Sequence, residues 1–126
     1  MQIKPLILSG FYSIWKVIKL KKSEMIKDKD YFTQIIRNGK FSKDRNFVVY
    51  FVENESDKSM FGIAIKKSIG SAVTRNRLKR QTRSIIDNNR KLFQLSKDYI
   101  IMIREGCLEK SYQELDSSIK KIMKGI

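Results

Sequence analysis

The chain has 126 residues, one domain's worth, with 27 Lys and Arg against 13 Asp and Glu and a net charge of +14. A domain this basic repels itself unless a polyanion neutralises it, which points to nucleic acid or an anionic surface. It has no histidine and one cysteine, Cys107, which excludes His-based acid–base chemistry, catalytic triads, an internal disulfide and CxxC zinc sites. No apolar run is long enough for a transmembrane helix, and the lone cysteine suits a reducing cytoplasm.

The chain opens with a mostly apolar stretch, Leu6 to Ile14, then Trp15 and the basic Lys16, Lys19, Lys21 and Lys22. A signal peptide would place its charge first and end in a small-residue cleavage site, so this is not one. Residues 1–24 form an N-terminal arm, a segment upstream of a true start at Met25, or a membrane-surface anchor. The domain itself is expected over residues 25–126.

From Asp28 a helix is expected, with Phe32, Ile35 and Ile36 on one stripe. Gly39 should end it through a positive φ. Asn46 to Glu53 is rich in β-branched and aromatic residues and reads as a strand. Polar Asn54 to Lys58 suits a hairpin turn into a second, antiparallel strand, Met60 to Ile65. Lys66 to Ser71 reads as a loop, with Ser71 the N-cap of a helix from Ala72 to about Asn88. Asn89 to Lys97 is irregular. Tyr99 to Arg104 is a compact apolar run and reads as a third long strand. Gly106 breaks it, leaving Cys107 in a loop with no evident role. Ser111 to Lys124 carries Leu115, Ile119 and Ile122 at helical spacing. A sheet covered by helices buries these stripes, giving an α/β two-layer sandwich. Its strand–helix–strand centre would by general rule cross over right-handed.

The informative stretch is Lys66 to Arg83, with seven basic residues and no acidic one. At ~100° per residue, Asn76, Arg80 and Arg83 share one narrow arc. Leu78, Thr82 and Ile85 lie roughly opposite and should face the core. Arg75 and Lys79 share a third direction, and Arg77 points away from them. Like charges at i, i+3 and i, i+4 repel, so stability gives no reason to stack them. A merely solvated face would mix signs. Arginine's planar fork suits bidentate phosphate contact and stacking on bases. The stretch lacks the glycines and spacing of a nucleotide-hydrolysing phosphate loop. Strands flank the helix, which argues against a DNA-reading helix-turn-helix.

Ile65-Lys66-Lys67, then Ile69-Gly70-Ser71-Ala72-Val73-Thr74-Arg75-Asn76-Arg77-Leu78-Lys79-Arg80 and Arg83, resembles the signature of the bacterial ribonuclease P protein subunit. The resemblance spans about Met25 to Ile126. It implies an α/β sandwich with a left-handed strand–helix–strand crossover, against the general rule. It also implies a cytoplasmic ribonucleoprotein that removes the 5′ leader of precursor tRNA. In that family the RNA subunit and its Mg²⁺ ions carry the chemistry, so no catalytic residue, protein-bound metal or stable protein partner is expected here. The resemblance assigns Lys66, Lys67, Arg75, Arg77 and Lys79 to the RNA subunit. It assigns Asn76, Arg80 and Arg83 to the leader-facing side of the helix, and Phe32, Ile36 and Tyr50 to the other wall of a leader cleft. The residues alone leave a plain core role open for Phe32 and Tyr50. Two departures stand out: Ile36 sits where the family usually has an aromatic, and Met25-Ile26 replaces a basic Arg-Leu pair. The alternative is a general or ribosomal RNA-binding protein with no tRNA-processing role.

Overall fold

The computed structural model describes residues 22–126; the greater part of the N-terminal arm lies outside the described residues. Helix α1 spans Lys29–Asn38. Asp28 caps it, its side chain accepting from the backbone N–H groups of Asp30 and Tyr31. Strands β1, Lys40–Lys43, and β2, Phe47–Glu53, follow. Then come β3, Phe61–Ile65, helix α2, Ala72–Asn88, β4, Lys97–Ile103, and helix α3, Tyr112–Lys124. The α/β class is as expected, with four strands ordered β1-β2-β4-β3.

That order corrects the expected hairpin. β2 and β3 are not neighbours, because β4 lies between them, antiparallel to β2 and parallel to β3. The reason is burial. Tyr99, Ile100, Ile101 and Ile103 are all buried, so this run has apolar side chains on both faces and belongs in the middle of a sheet. The Asn54–Lys58 segment closes on itself instead: Asn54 Oδ1 accepts from the Ser56 N–H at 2.9 Å, and Asn54 Nδ2 donates to the Lys58 carbonyl at 3.0 Å.

The sequence predicts no strand over β1. Its Lys-Phe-Ser-Lys sequence has no strand alternation of its own, and it pairs antiparallel with β2 as an edge strand. Asp44 makes the turn between them, Oδ1 accepting from the N–H groups of Asn46 and Phe47. Gly39 ends α1, but not through a positive φ: its backbone is extended at φ −75°. What requires glycine there is space, since a Cβ would lie 2.5 Å from the Ile35 carbonyl oxygen and 3.0 Å from that of Phe51.

One sheet face carries Phe47, Val49, Phe61, Tyr99, Ile101 and Ile103, which join Leu78, Ile85 and Ile86 of α2 and Leu115, Ile119 and Ile122 of α3 in the main core. The other face is only partly covered. There α1 packs on β2 and β4, burying Ile35 and setting the Phe32 ring over Gly62. Met25-Ile26 extends the sheet past β3, with Met25 bridging Phe61 and the Ile26 N–H donating to the Phe61 carbonyl at 2.8 Å.

Candidate nucleic-acid interface

Helix α2 starts where expected. Gly70 turns the loop at φ +62°, a conformation open to glycine. Ser71 Oγ accepts from the Thr74 N–H at 3.2 Å. Leu78, Thr82, Ile85 and Ile86 are buried, which fixes the rotation of the helix. Thr82 meets its burial by donating to the Leu78 carbonyl at 2.8 Å. Asn89 Nδ2 donates to the Ile85 carbonyl at 2.8 Å and to Asp116 of α3 at 2.7 Å. Ser84 and Asn88 both meet the Tyr112 hydroxyl of α3 at 2.9 Å. The basic helix is thus seated by its buried stripe from Leu78 to Ile86 and tied to α3 at its C-terminal end, with the basic side chains on its outward side.

Lys66, Lys67, Asn76, Arg77, Lys79, Arg80 and Arg83 are all exposed. None has a side-chain hydrogen bond or ion pair among the described residues. The ion pairs formed there are Arg90–Glu24, Arg90–Asp87 and Lys120–Asp116, and the first turn of α2 holds no acid. The cations are therefore concentrated, uncompensated and available to phosphate.

Arg75 differs from the others. It is half-buried, and its Nη1 donates to the carbonyls of Lys67 and Gly70, both at 2.8 Å. It closes the loop that presents Lys66 and Lys67, so its first task is to hold that loop against the helix.

Phe32, Ile36 and Tyr50 are each half-buried and lie outside the main core cluster. Tyr50 shares its register row with Phe41 and Ile100, and Ile100 with Gly62 beneath Phe32. These side chains line the partly open face, whereas α2 packs on the opposite one. The two expected leader-facing sets therefore do not confront each other across one groove.

Sequence reasoning missed three contributors. Phe41 was hidden in a polar tetrapeptide, and Gly62 reads as one strand residue among others. The Tyr31–Asp98 bond links residues 67 apart, and no local pattern announces it.

The family model described as Ribonuclease P matches residues 20–126. A "Ribonuclease P protein component" of Bacillus cereus is 35% identical over 108 residues, covering 85% of this chain and 91% of that protein. One of Bacillus anthracis is 36% identical over 106 residues, covering 83% and 89%. The Staphylococcus aureus RNase P protein structure superposes with a TM-score of 0.74 at 31% identity, covering 82% of this chain and 94% of that one. The Thermotoga maritima RNase P protein gives 0.74 at 27% identity, covering 82% and 97%.

Proposed function

Because this chain belongs to the ribonuclease P protein family, we propose that its two exposed surfaces divide the labour of that enzyme, one holding the RNA subunit and the other the leader of precursor tRNA. The chain is a protein component of ribonuclease P, the ribonucleoprotein endonuclease that processes the 5′ end of tRNA, and it associates with the RNA subunit.

Lys66, Lys67, Arg77 and Lys79 contact phosphates of the RNA subunit, and Arg75 shapes the loop that carries the first two. Asn76, Arg80 and Arg83 point away from Leu78 and the core, toward the leader. Phe32, Ile36 and Tyr50 receive leader nucleotides on the partly open sheet face. The observation that carries this reading is the uncompensated run from Lys66 to Arg83 on a helix clamped by α3. With 6–10 phosphate contacts, affinity would fall by ~10³–10⁵ between about 50 and 200 mM salt.

Among the described residues no three His, Cys, Asp or Glu side chains come together as a metal site. We assign the Mg²⁺ ions that serve the reaction to the RNA subunit. Among those residues no helix is long and apolar enough to cross a membrane. The free, buried Cys107 suits the reducing cytoplasm in which the enzyme is proposed to act.

The test is cleavage of precursor tRNA by a bacterial ribonuclease P RNA at ~2 mM Mg²⁺, where the RNA alone should be slow. Strong activation on adding the protein is expected. RNA binding without activation would leave a general RNA-binding domain.

A further inference from the structure

Phe41 stands at the centre of β1 with 57% of its surface exposed. A bare phenyl ring on an edge strand is an aggregation hazard and contributes little to the core. It is not isolated, however. Phe41 is the register partner of Tyr50, so the two side chains share a face. Their ring centroids are 5.9 Å apart with a 48° tilt. The same row continues through Ile100 to Gly62, under Phe32. The row thus carries the Phe41–Tyr50 ring pair at one sheet edge and the Phe32 ring over Gly62 toward the other, with Ile100 between them.

Cations stand close to Phe41 in the chain. Lys43 lies on the same face two residues on, and Lys40 and Arg45 flank it. All three are exposed, with no ion pair among the described residues. Two copies joined antiparallel through β1 would set these lysines against each other, so the edge disfavours a second copy of this chain. An exposed π face with cations beside it matches single-stranded nucleic acid, whose bases stack while its phosphates are neutralised.

We propose that Phe41 stacks a nucleobase of the single-stranded leader, extending the Phe32–Tyr50 platform by one position toward the β1 edge. This rests on the assignment of that face to the leader. It also gives the face an aromatic that Ile36 does not supply.

The test uses the holoenzyme, reconstituted from the full chain and a bacterial ribonuclease P RNA. Substrates are precursor tRNAs in which each leader nucleotide in turn is abasic, with mature tRNA as the leaderless ligand. Phe41→Ala should weaken full-leader precursor tRNA by about 5- to 10-fold, one base–aromatic contact, and leave mature tRNA unchanged. One abasic position should cost the wild type a similar factor and cost the variant nothing. Phe41→Trp should restore binding and Phe41→Leu should not, which separates stacking from apolar bulk. Equal losses on every substrate, or no loss at all, would overturn the proposal. Tyr50→Ala distinguishes the two levels. If it weakens precursor over mature tRNA while Phe41→Ala does not, only the Phe41 assignment falls. If neither discriminates, the leader-face reading falls with it.

Discussion

Tyr31 on α1 donates its phenolic hydrogen to the buried carboxylate of Asp98 on β4. The same carboxylate accepts from Asn54 Nδ2 at 2.7 Å and from the Met60 N–H at 3.0 Å. One side chain thereby ties α1, the β2–β3 connection and the central strand together, and it fixes where Phe32 stands over the sheet. Tyr31→Phe should cost about 1 kcal/mol of stability, the usual net worth of such a bond, and weaken leader binding more than mature tRNA binding. Burial, then the bond to Asp98 and its charge, push the Tyr31 hydroxyl up to about 12 from 10.0. The raised value makes the neutral phenol the folded form, so this stabilisation is complete below pH 10 and is lost as pH rises toward 12. Urea unfolding of wild type and Tyr31→Phe at about pH 8 and pH 11 should show the gap between them narrowing at the higher value.

Gly62 leaves room for Phe32. A Cβ there would lie 2.6 Å from Phe32 Cε2 and 3.3 Å from Ile100 Cγ1. Gly62→Ala should displace the ring and cost about 1–3 kcal/mol by overpacking. Leader-dependent affinity should fall with RNA-subunit binding intact. Thermal unfolding and precursor-tRNA binding check the two parts separately.

Arg80 and Arg77 leave α2 in different directions. Arg80→Ala should weaken leader-bearing substrate more than mature tRNA. Equal losses on both would move Arg80 to the RNA-subunit surface. Arg77→Ala should weaken assembly with the RNA subunit and flatten the salt slope by ~1, read from binding isotherms at several salt concentrations.

Arg75 offers a sharper substitution. Its Nη1 bridges two carbonyls, a geometry a point-charge ammonium does not reproduce. Arg75→Lys keeps the charge, so the salt slope should hold while affinity for the RNA subunit drops by about 10-fold, the loss of one or two loop-ordering hydrogen bonds. A fully functional Lys variant would show that Arg75 serves only as a cation.

Cys107 is buried and donates from Sγ to the Asn46 carbonyl at 3.0 Å. It sits in a 3-10 turn, Glu105–Glu109, rather than in an open loop. Burial is the main reason its thiol is pushed up to about 12 from 9.0. The folded protein should resist alkylation at neutral pH and react once unfolded. Mass spectrometry after an iodoacetamide pulse would then report how much of the basic chain is folded without RNA.

What was legible in the sequence was local. The Ala72–Asn88 helix, its Ser71 cap and the inward turn of Leu78, Thr82 and Ile85 all follow from residues within a few turns of one another. The capping box of Ser111 and Glu114 likewise sits within one turn, at the start of the helix expected from Ser111. β1 is not legible in the sequence because Lys-Phe-Ser-Lys becomes a strand only by pairing with β2. The supposed hairpin failed because a polar turn between two strands does not specify who pairs with whom.

By itself the sequence determined the charge, the absence of histidine, the helix that carries the basic run and the family whose signature that run bears. Each is written in residue identity and short spacing. Only the tertiary structure decided that β4 separates β2 from β3, that Arg75 is spent on its own loop, and that Phe41 lines up with Tyr50. It also decided that the basic helix and the aromatic face lie on opposite sides of the sheet. Those relations join residues far apart in the chain, and they are set by which apolar surfaces must be buried together.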